Sequence, residues 1–316
     1  MTVTKIASFP WKNTDQRSVD FALRINKLRL TETWEYVKSN NKPDAEDDQL
    51  LSMMHYHSTE HMRHVAAIAL WLLEKESEQA WQYEVGALPL AVACMFHDMN
   101  HSLGKTDDEQ NVTAAQDAFK QYLTVTEDQR IIDHQDIILE LIKITQFPYM
   151  GTRQPKNLVE RCIRDADILY GMQDDVIDYV MSSLRRELNR RPKTSTLKYT
   201  PEQWASMRID FLLSVEIYTP TAEAIMGWEL SSLNDHNHEH KLQSWVNDRL
   251  SFYVTTANKL KANDVLFIDT PEDSSWKRRL IESITDVGDG FNICFNDGTS
   301  LYLRNGESCV VVERRK

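Results

Sequence analysis

The run from Val85 to Phe96 is nearly all apolar, and it stops on an ionisable pair, His97-Asp98. A helix that is apolar on every side must be surrounded by other elements, so the chain has to fold with this run at its centre. The His-Asp pair then lies where the interior ends. An imidazole beside a carboxylate in such a place is costly unless its charge is compensated, and a divalent metal ion is the usual compensation. The run is too short to span a bilayer, and no other stretch comes closer, so no membrane attachment is expected.

Elements able to surround that helix are plentiful. Ser18 to Ser39 carries Phe21, Ile25, Leu28, Trp34 and Val37 among charged residues. From His57 onward, Val65, Ile68, Ala69, Leu72 and Leu73 recur at the spacing of one buried helical face. Thr113–Leu123, Ile131–Thr145 and Asn157–Tyr170 add three amphipathic helices, with Pro148 and Gly151 between the last two. Further helices are expected over Asp174–Arg190, Pro201–Ile217, Thr221–Leu233 and Lys241–Leu260.

Near Asn263 the period changes. Val265–Ile268, Arg279–Thr285, Phe291–Phe295, Ser300–Leu303 and Cys309–Glu313 are short and alternating, and Asp297-Gly298 suits a tight hairpin turn. The expected fold is therefore mainly α: a helical domain over residues 1–262, then a small SH3-like β-barrel over 263–316.

The 316 residues include 36 Lys and Arg against 48 Asp and Glu, a net charge of −12. That argues against stable nucleic-acid binding, which needs basic surface to displace counterions. Residues 259–316 hold 9 of the cations and 10 of the acids, so the acidity is helical. The four cysteines, Cys94, Cys162, Cys294 and Cys309, show no CxxC spacing, and reduced thiols in a cytoplasmic protein are the simplest reading. No secretory signal is visible at the N-terminus.

Partners for a metal at His97-Asp98 must come from elsewhere. His57, His61 and His64 follow an i, i+4, i+7 stripe, and His61 continues into the buried face. Asp165 and Asp167 interrupt an apolar helical run and point roughly 200° apart, so one of them should face the interior and only one should reach a shared ion. Imidazole with carboxylate suits zinc, iron, nickel or manganese. Asp165 is expected on the helix surface or behind the ligands, and His55 and His64 as structural or exposed. The run Asp235-His236-Asn237-His238-Glu239-His240 reads as a solvated turn.

These residues resemble a known family. His61, His97-Asp98 and Asp167 reproduce the H…HD…D order of the HD-domain metal-dependent phosphohydrolases. Tyr56-His57-Ser58-Thr59-Glu60-His61 is similar to the YHNxxH segment of class I cyclic-nucleotide phosphodiesterases and related bacterial HD enzymes. His97-Asp98-Met99-Asn100-His101 with Gly104 is similar to their HDxDHxG segment, and Asp165-Ala166-Asp167-Ile168 with Gly171 to the bacterial DADLxxxG segment. Asn100 departs from the phosphodiesterases, which have a second aspartate there.

The resemblance implies an HD-domain helical bundle over roughly residues 50 to 230 and two divalent cations, from among Zn, Fe, Mn and Mg. His61, His97, Asp98 and Asp167 would hold the tighter one, and Asp98 would bridge to the second. His101 would hydrogen-bond a water of that second ion, and His57 would be the general acid. A water shared by two cations ionises near neutral pH and can attack phosphorus. The implied activity is hydrolysis of a small nucleotide phosphoester, of cyclic-nucleotide phosphodiesterase type. A nucleotidase or dNTP hydrolase, or a nucleotide sensor without turnover, fits the same cage. The barrel would dock a protein partner or a second copy of the chain, with a substrate-gating lid as the other reading.

Overall fold

The structure, a computed structural model, describes residues 9–45, 49–147, 154–173, 176, 180–190, 199–200, 203–204, 207–208, 211, 215–226, 250–262, 264–270, 275–296 and 298–314. The chain divides into two compact units. One is Met1–Ala45 with His55–Glu239, the other Glu46–Met54 with His240–Lys316.

The first unit is helical: α1 (Thr14–Leu28), α2 (Thr31–Asn40), α4 (Thr59–Glu76), α5 (Ala80–Phe96), α6 (Asp108–Leu123), α7 (Gln129–Asp133), α8 (Gln135–Ile144), α9 (Leu158–Tyr170), a π-helical turn (Val180–Leu184) and α10 (Arg185–Leu188). α3 (Gln49–Met53) belongs to the second unit. α4 is the centre of the first, packed by α1, α5 and α9. Every residue from Glu60 to Leu73 is buried. In α5, burial runs from Gly86 to Phe96, while Val85 at the start of the expected apolar run is exposed. α5 passes through Pro89 without ending. Burial on all sides outweighs the loss of one backbone donor.

Three expected helices change form. Ser18–Ser39 is two helices, because Arg29 turns left-handed (φ 59°). There the N–H groups of Arg29 and Leu30 bond back to Asn26 and Ile25, closing α1. The apolar period runs through the break because both helices face one core. Ile131–Thr145 is likewise two helices meeting at His134. The described part of Lys241–Leu260 is mostly strand: Leu250–Thr256 is β1. Its Phe, Tyr, Val and Thr suit a pleated surface, and the strand Ser308–Arg314 offers a ladder along its whole length. Of the two helices expected between 201 and 233, helical residues are described at 203–204, 207–208, 211 and 220–226, whereas 215–218 is not helical.

The second unit holds a six-stranded antiparallel sheet in the order β1-β6-β2-β3-β4-β5, with β2 at Val265–Thr270, β3 at Ser275–Asp286, β4 at Gly290–Phe295, β5 at Ser300–Arg304 and β6 at Ser308–Arg314. β3 is long enough to pair with β2 through its first half and with β4 through its second. The register shifts between Ile281 and Ser283, a bulge that lets one strand serve both. Leu266, Ile281, Ile293, Phe295 and Leu303 form the centre of its core.

Candidate metal centre

His61 lies in the first turn of α4, where the Ser58 hydroxyl caps the helix by accepting from His61 N at 3.2 Å. Its ring is fully buried. His97 closes α5 and Asp98 follows it. Asp167 projects from the last turn of α9. Three helices thus bring these side chains together: the donor atoms of His61, His97 and Asp98 all lie within 4.8 Å of one another, and Asp167 reaches the two histidines.

The distances are close. His61 Nε2 is 3.2 Å from His97 Nε2, 3.0 Å from Asp98 Oδ2 and 3.1 Å from Asp167 Oδ1. His97 Nε2 is 3.1 Å from Asp98 Oδ2 and 3.8 Å from Asp167 Oδ1. Donors bound at about 2.0–2.2 Å around one ion are themselves separated by about 3 to 3.6 Å, so the spacing fits coordination. The tautomer fits as well. His97 Nδ1 donates to the Cys94 carbonyl at 2.8 Å, which leaves the Nε2 lone pair facing the other donors. His61 Nδ1 is buried with no hydrogen-bond partner among the described residues.

Without a cation, protons must hold this cluster together. Burial lowers an imidazole pKa, yet at His97 the Asp98 and Asp167 carboxylates outweigh it and hold the ring well above its ordinary value. Burial would raise Asp98 and Asp167, but the histidines keep both below the usual carboxylate range. A divalent cation at the convergence of these donors does the same work without the proton.

Beside the cluster lies a second assembly. The ring of His57 stacks on His101, with centres 3.9 Å apart and planes 22° from parallel. Glu187, buried on α10, takes His57 Nδ1 on one oxygen at 2.5 Å and the Tyr56 backbone N–H on the other, also at 2.5 Å. Burial alone would lower His57, but the charges of Glu187, Asp98 and Asp167 raise it to about 9. His101 goes the other way: burial and the neighbouring His57 push it down to about 3. Its Nδ1 accepts from Leu103 N at 3.0 Å, so the proton sits on Nε2. Of two stacked rings, one is a cation and the other neutral. His57, His101 and Glu187 could also gather round an ion, but both Glu187 oxygens are already engaged.

The sequence does not single out Glu187, since nothing in Leu184-Arg185-Arg186-Glu187-Leu188 marks the acid as buried. A signal exists further back. Gly104 has φ +88°, and a Cβ there would come within 1.8 Å of the Glu187 carbonyl oxygen. The loop from Asn100 to Gly104, with φ of 61° at Asn100 and 50° at Leu103, can pass beneath α10 because it ends on glycine.

Asn100 takes no part in the four-donor cluster. Its side-chain oxygen accepts from Lys42 N at 2.9 Å, and its own N–H donates to Asn41 Oδ1 at 2.8 Å. Asparagine tolerates the left-handed backbone required there. Asp165 is fully buried on the face of α9 away from Asp167. It accepts from Tyr218 N at 3.0 Å and from both Thr219 N and Oγ1 at 2.7 Å. It is an anchor for residues 218–219, and burial lifts its pKa to about 6 against those hydrogen bonds. His64 is structural: buried, it accepts from Arg17 Nε at 3.0 Å. The run 235–240 lies outside the described residues.

Compared with protein-family models, curated proteins and solved structures, the chain matches none.

Proposed function

We propose that the chain is a metal-dependent phosphohydrolase of HD-domain type, hydrolysing a nucleotide phosphoester in the manner of a cyclic-nucleotide phosphodiesterase. One observation carries this reading. The rings of His61 and His97 lie 3.0–3.8 Å from the carboxylate oxygens of Asp98 and Asp167, beside an imidazole that a buried carboxylate keeps protonated. The motif resemblance supports it independently.

His61, His97, Asp98 and Asp167 would hold the tighter cation, with Asp98 extending to a second. When bound, such ions supply neutralisation of phosphate charge and an acidified water. The residues do the rest. His57 presents its Nε2 proton to the departing oxygen, which leaves poorly as an alkoxide. Glu187 fixes the ring through Nδ1 and stabilises the imidazolium. His101, neutral with its proton on Nε2, has one donor to offer a water or a phosphate oxygen.

The sheet of the second unit is proposed as an SH3-like barrel that docks a partner or a second copy. The four free thiols support a reducing, cytoplasmic setting.

The test is a panel of cyclic mononucleotides, cyclic dinucleotides, nucleoside monophosphates and dNTPs, offered to protein loaded with Zn, Fe, Mn or Mg. Turnover confined to cyclic substrates is expected. Release of phosphate or triphosphate would make it a nucleotidase or dNTP hydrolase, and tight binding without product a sensor. No binding and no turnover with any metal would overturn the reading.

A further inference from the structure

Arg208 is a buried cation at the C-terminal end of α9, with 7% of its surface exposed. It lies four residues beyond Trp204, both in helical conformation, and the Trp204 indole N–H anchors that segment on the Val180 carbonyl at 2.9 Å. Arg208 Nη2 donates to the carbonyl of Gly171, which caps α9 four residues after Asp167.

A guanidinium carries five N–H donors and a full charge. A carbonyl at a helix C-terminus satisfies one donor and attracts the cation weakly, but it does not neutralise it. Among the described residues no carboxylate pairs with Arg208, and burial pushes its pKa down. A buried charge of this kind calls for an anion.

The surroundings say which anion. A Cβ added at Gly171 would lie 3.0 Å from the Tyr56 hydroxyl and 3.3 Å from Arg208 Nη2, so phenol and guanidinium meet over the same glycine. The Tyr56 ring in turn packs on His57 and His61, with ring centres 5.0 Å away in each case. Tyr56 therefore touches both the end of α9 where Arg208 bonds and the rings of His57 and His61.

We propose that Arg208 anchors the phosphate group of the substrate at this centre, its fork of donors and the Tyr56 hydroxyl engaging non-bridging oxygens. This rests on the phosphohydrolase reading and adds a positively charged binding residue that the metal-binding motifs do not contain. Arginine is suited to the role, because its planar donors match phosphate oxygens two at a time.

The experiment is calorimetric titration of the metal-loaded full chain with inorganic phosphate, alongside the substrate panel. Arg208→Gln should weaken phosphate binding at least about tenfold, with metal content unchanged. Arg208→Lys should also bind more weakly, since the charge remains but the fork is lost. Gly171→Ala is a second route, displacing Arg208 and Tyr56 without removing either, and should weaken phosphate in the same direction. Wild-type phosphate affinity in Arg208→Gln, with a lowered melting temperature, would mean that Arg208 only caps α9 and would overturn the proposal. So would a wild-type protein that binds no phosphate. Arginine-dependent phosphate binding without turnover of any ester would leave the anchor standing and remove the hydrolase reading instead.

Discussion

Glu187 and His57, 130 residues apart in sequence, are joined by a 2.5 Å contact between Oε2 and Nδ1, and the same carboxylate holds the Tyr56 backbone through its other oxygen. The acid therefore fixes the imidazole and, together with Asp98 and Asp167, favours its charged form.

Replacing Glu187 by Gln removes the charge and leaves one acceptor oxygen where the carboxylate used two, for Tyr56 N–H and His57 Nδ1. Hydrolysis should fall about 10- to 100-fold with metal content intact. The pH dependence of the metal-free protein gives a separate readout. Burial disfavours the His57 cation, but the surrounding carboxylates win and raise its pKa from 6.5 to about 9. Its contribution to stability is fully present below pH 6.5 and is lost as the pH rises through about 9. Urea midpoints should decline over that window, and Glu187→Gln should flatten the decline. An unchanged slope would show that Glu187 does not set the charge on His57.

Asp98→Ala should abolish metal retention. Asp98 lies within 3.0–3.1 Å of both cage histidines, so its loss leaves three donors and one negative charge fewer. Metal analysis after dialysis should show stoichiometry falling towards zero along with turnover. A variant that retains metal would remove Asp98 from the ligand set.

The two acids of α9 should separate cleanly. Asp165→Ala leaves the Tyr218 and Thr219 donors without their acceptor and should cost about 2–4 kcal/mol in chemical denaturation, with metal stoichiometry preserved. Asp167→Asn should lose metal, and should also lower the stability of the metal-free fold at neutral pH, because the buried histidines that keep this carboxylate ionised lose their partner. The reverse pattern would exchange their roles.

Gly104→Ala should be among the most damaging single changes. The added methyl meets the Glu187 backbone, and the positive φ is strained for alanine in any case. A loss of about 3 kcal/mol or more, or failure to fold, is expected from urea unfolding. Near-wild-type stability would mean that α10 shifts readily away from the loop.

Shortening the chain after residue 263 should be worse than shortening it after 249. β1 pairs with β6 from Leu250↔Arg314 to Thr256↔Ser308, so the longer product keeps a strand with no partner. Such an edge recruits other chains. Light scattering should find aggregation in the 1–263 product and a discrete species in 1–249.

Much of this was legible in the chain itself, and for a definite reason. Helical and strand periods are local properties, so the buried α5 run, the amphipathic helices and five of the six strands could be read from spacing. The 200° divergence of Asp165 and Asp167 is likewise a property of one helix, and it put one acid at the cage and the other on a separate anchor. β1 was illegible because its apolar residues fit either period until β6 is beside them. The break at Arg29 was hidden because the apolar pattern continues across it.

The sequence by itself pointed to the candidate donors: three histidines, the His97-Asp98 pair and a later aspartate, which the fold brings near one another. Only the tertiary structure decided which of their atoms meet, what holds them and what charge they bear. Glu187 becomes a partner of His57 through a contact 130 residues away, and Asn100 turns to Asn41 and Lys42 instead of the cage. Arg208 meets the Gly171 carbonyl at the end of α9, a contact between residues 37 apart in sequence. Burial and pairing are properties of the packed molecule. A short motif names candidate donors, while their surroundings set the protonation.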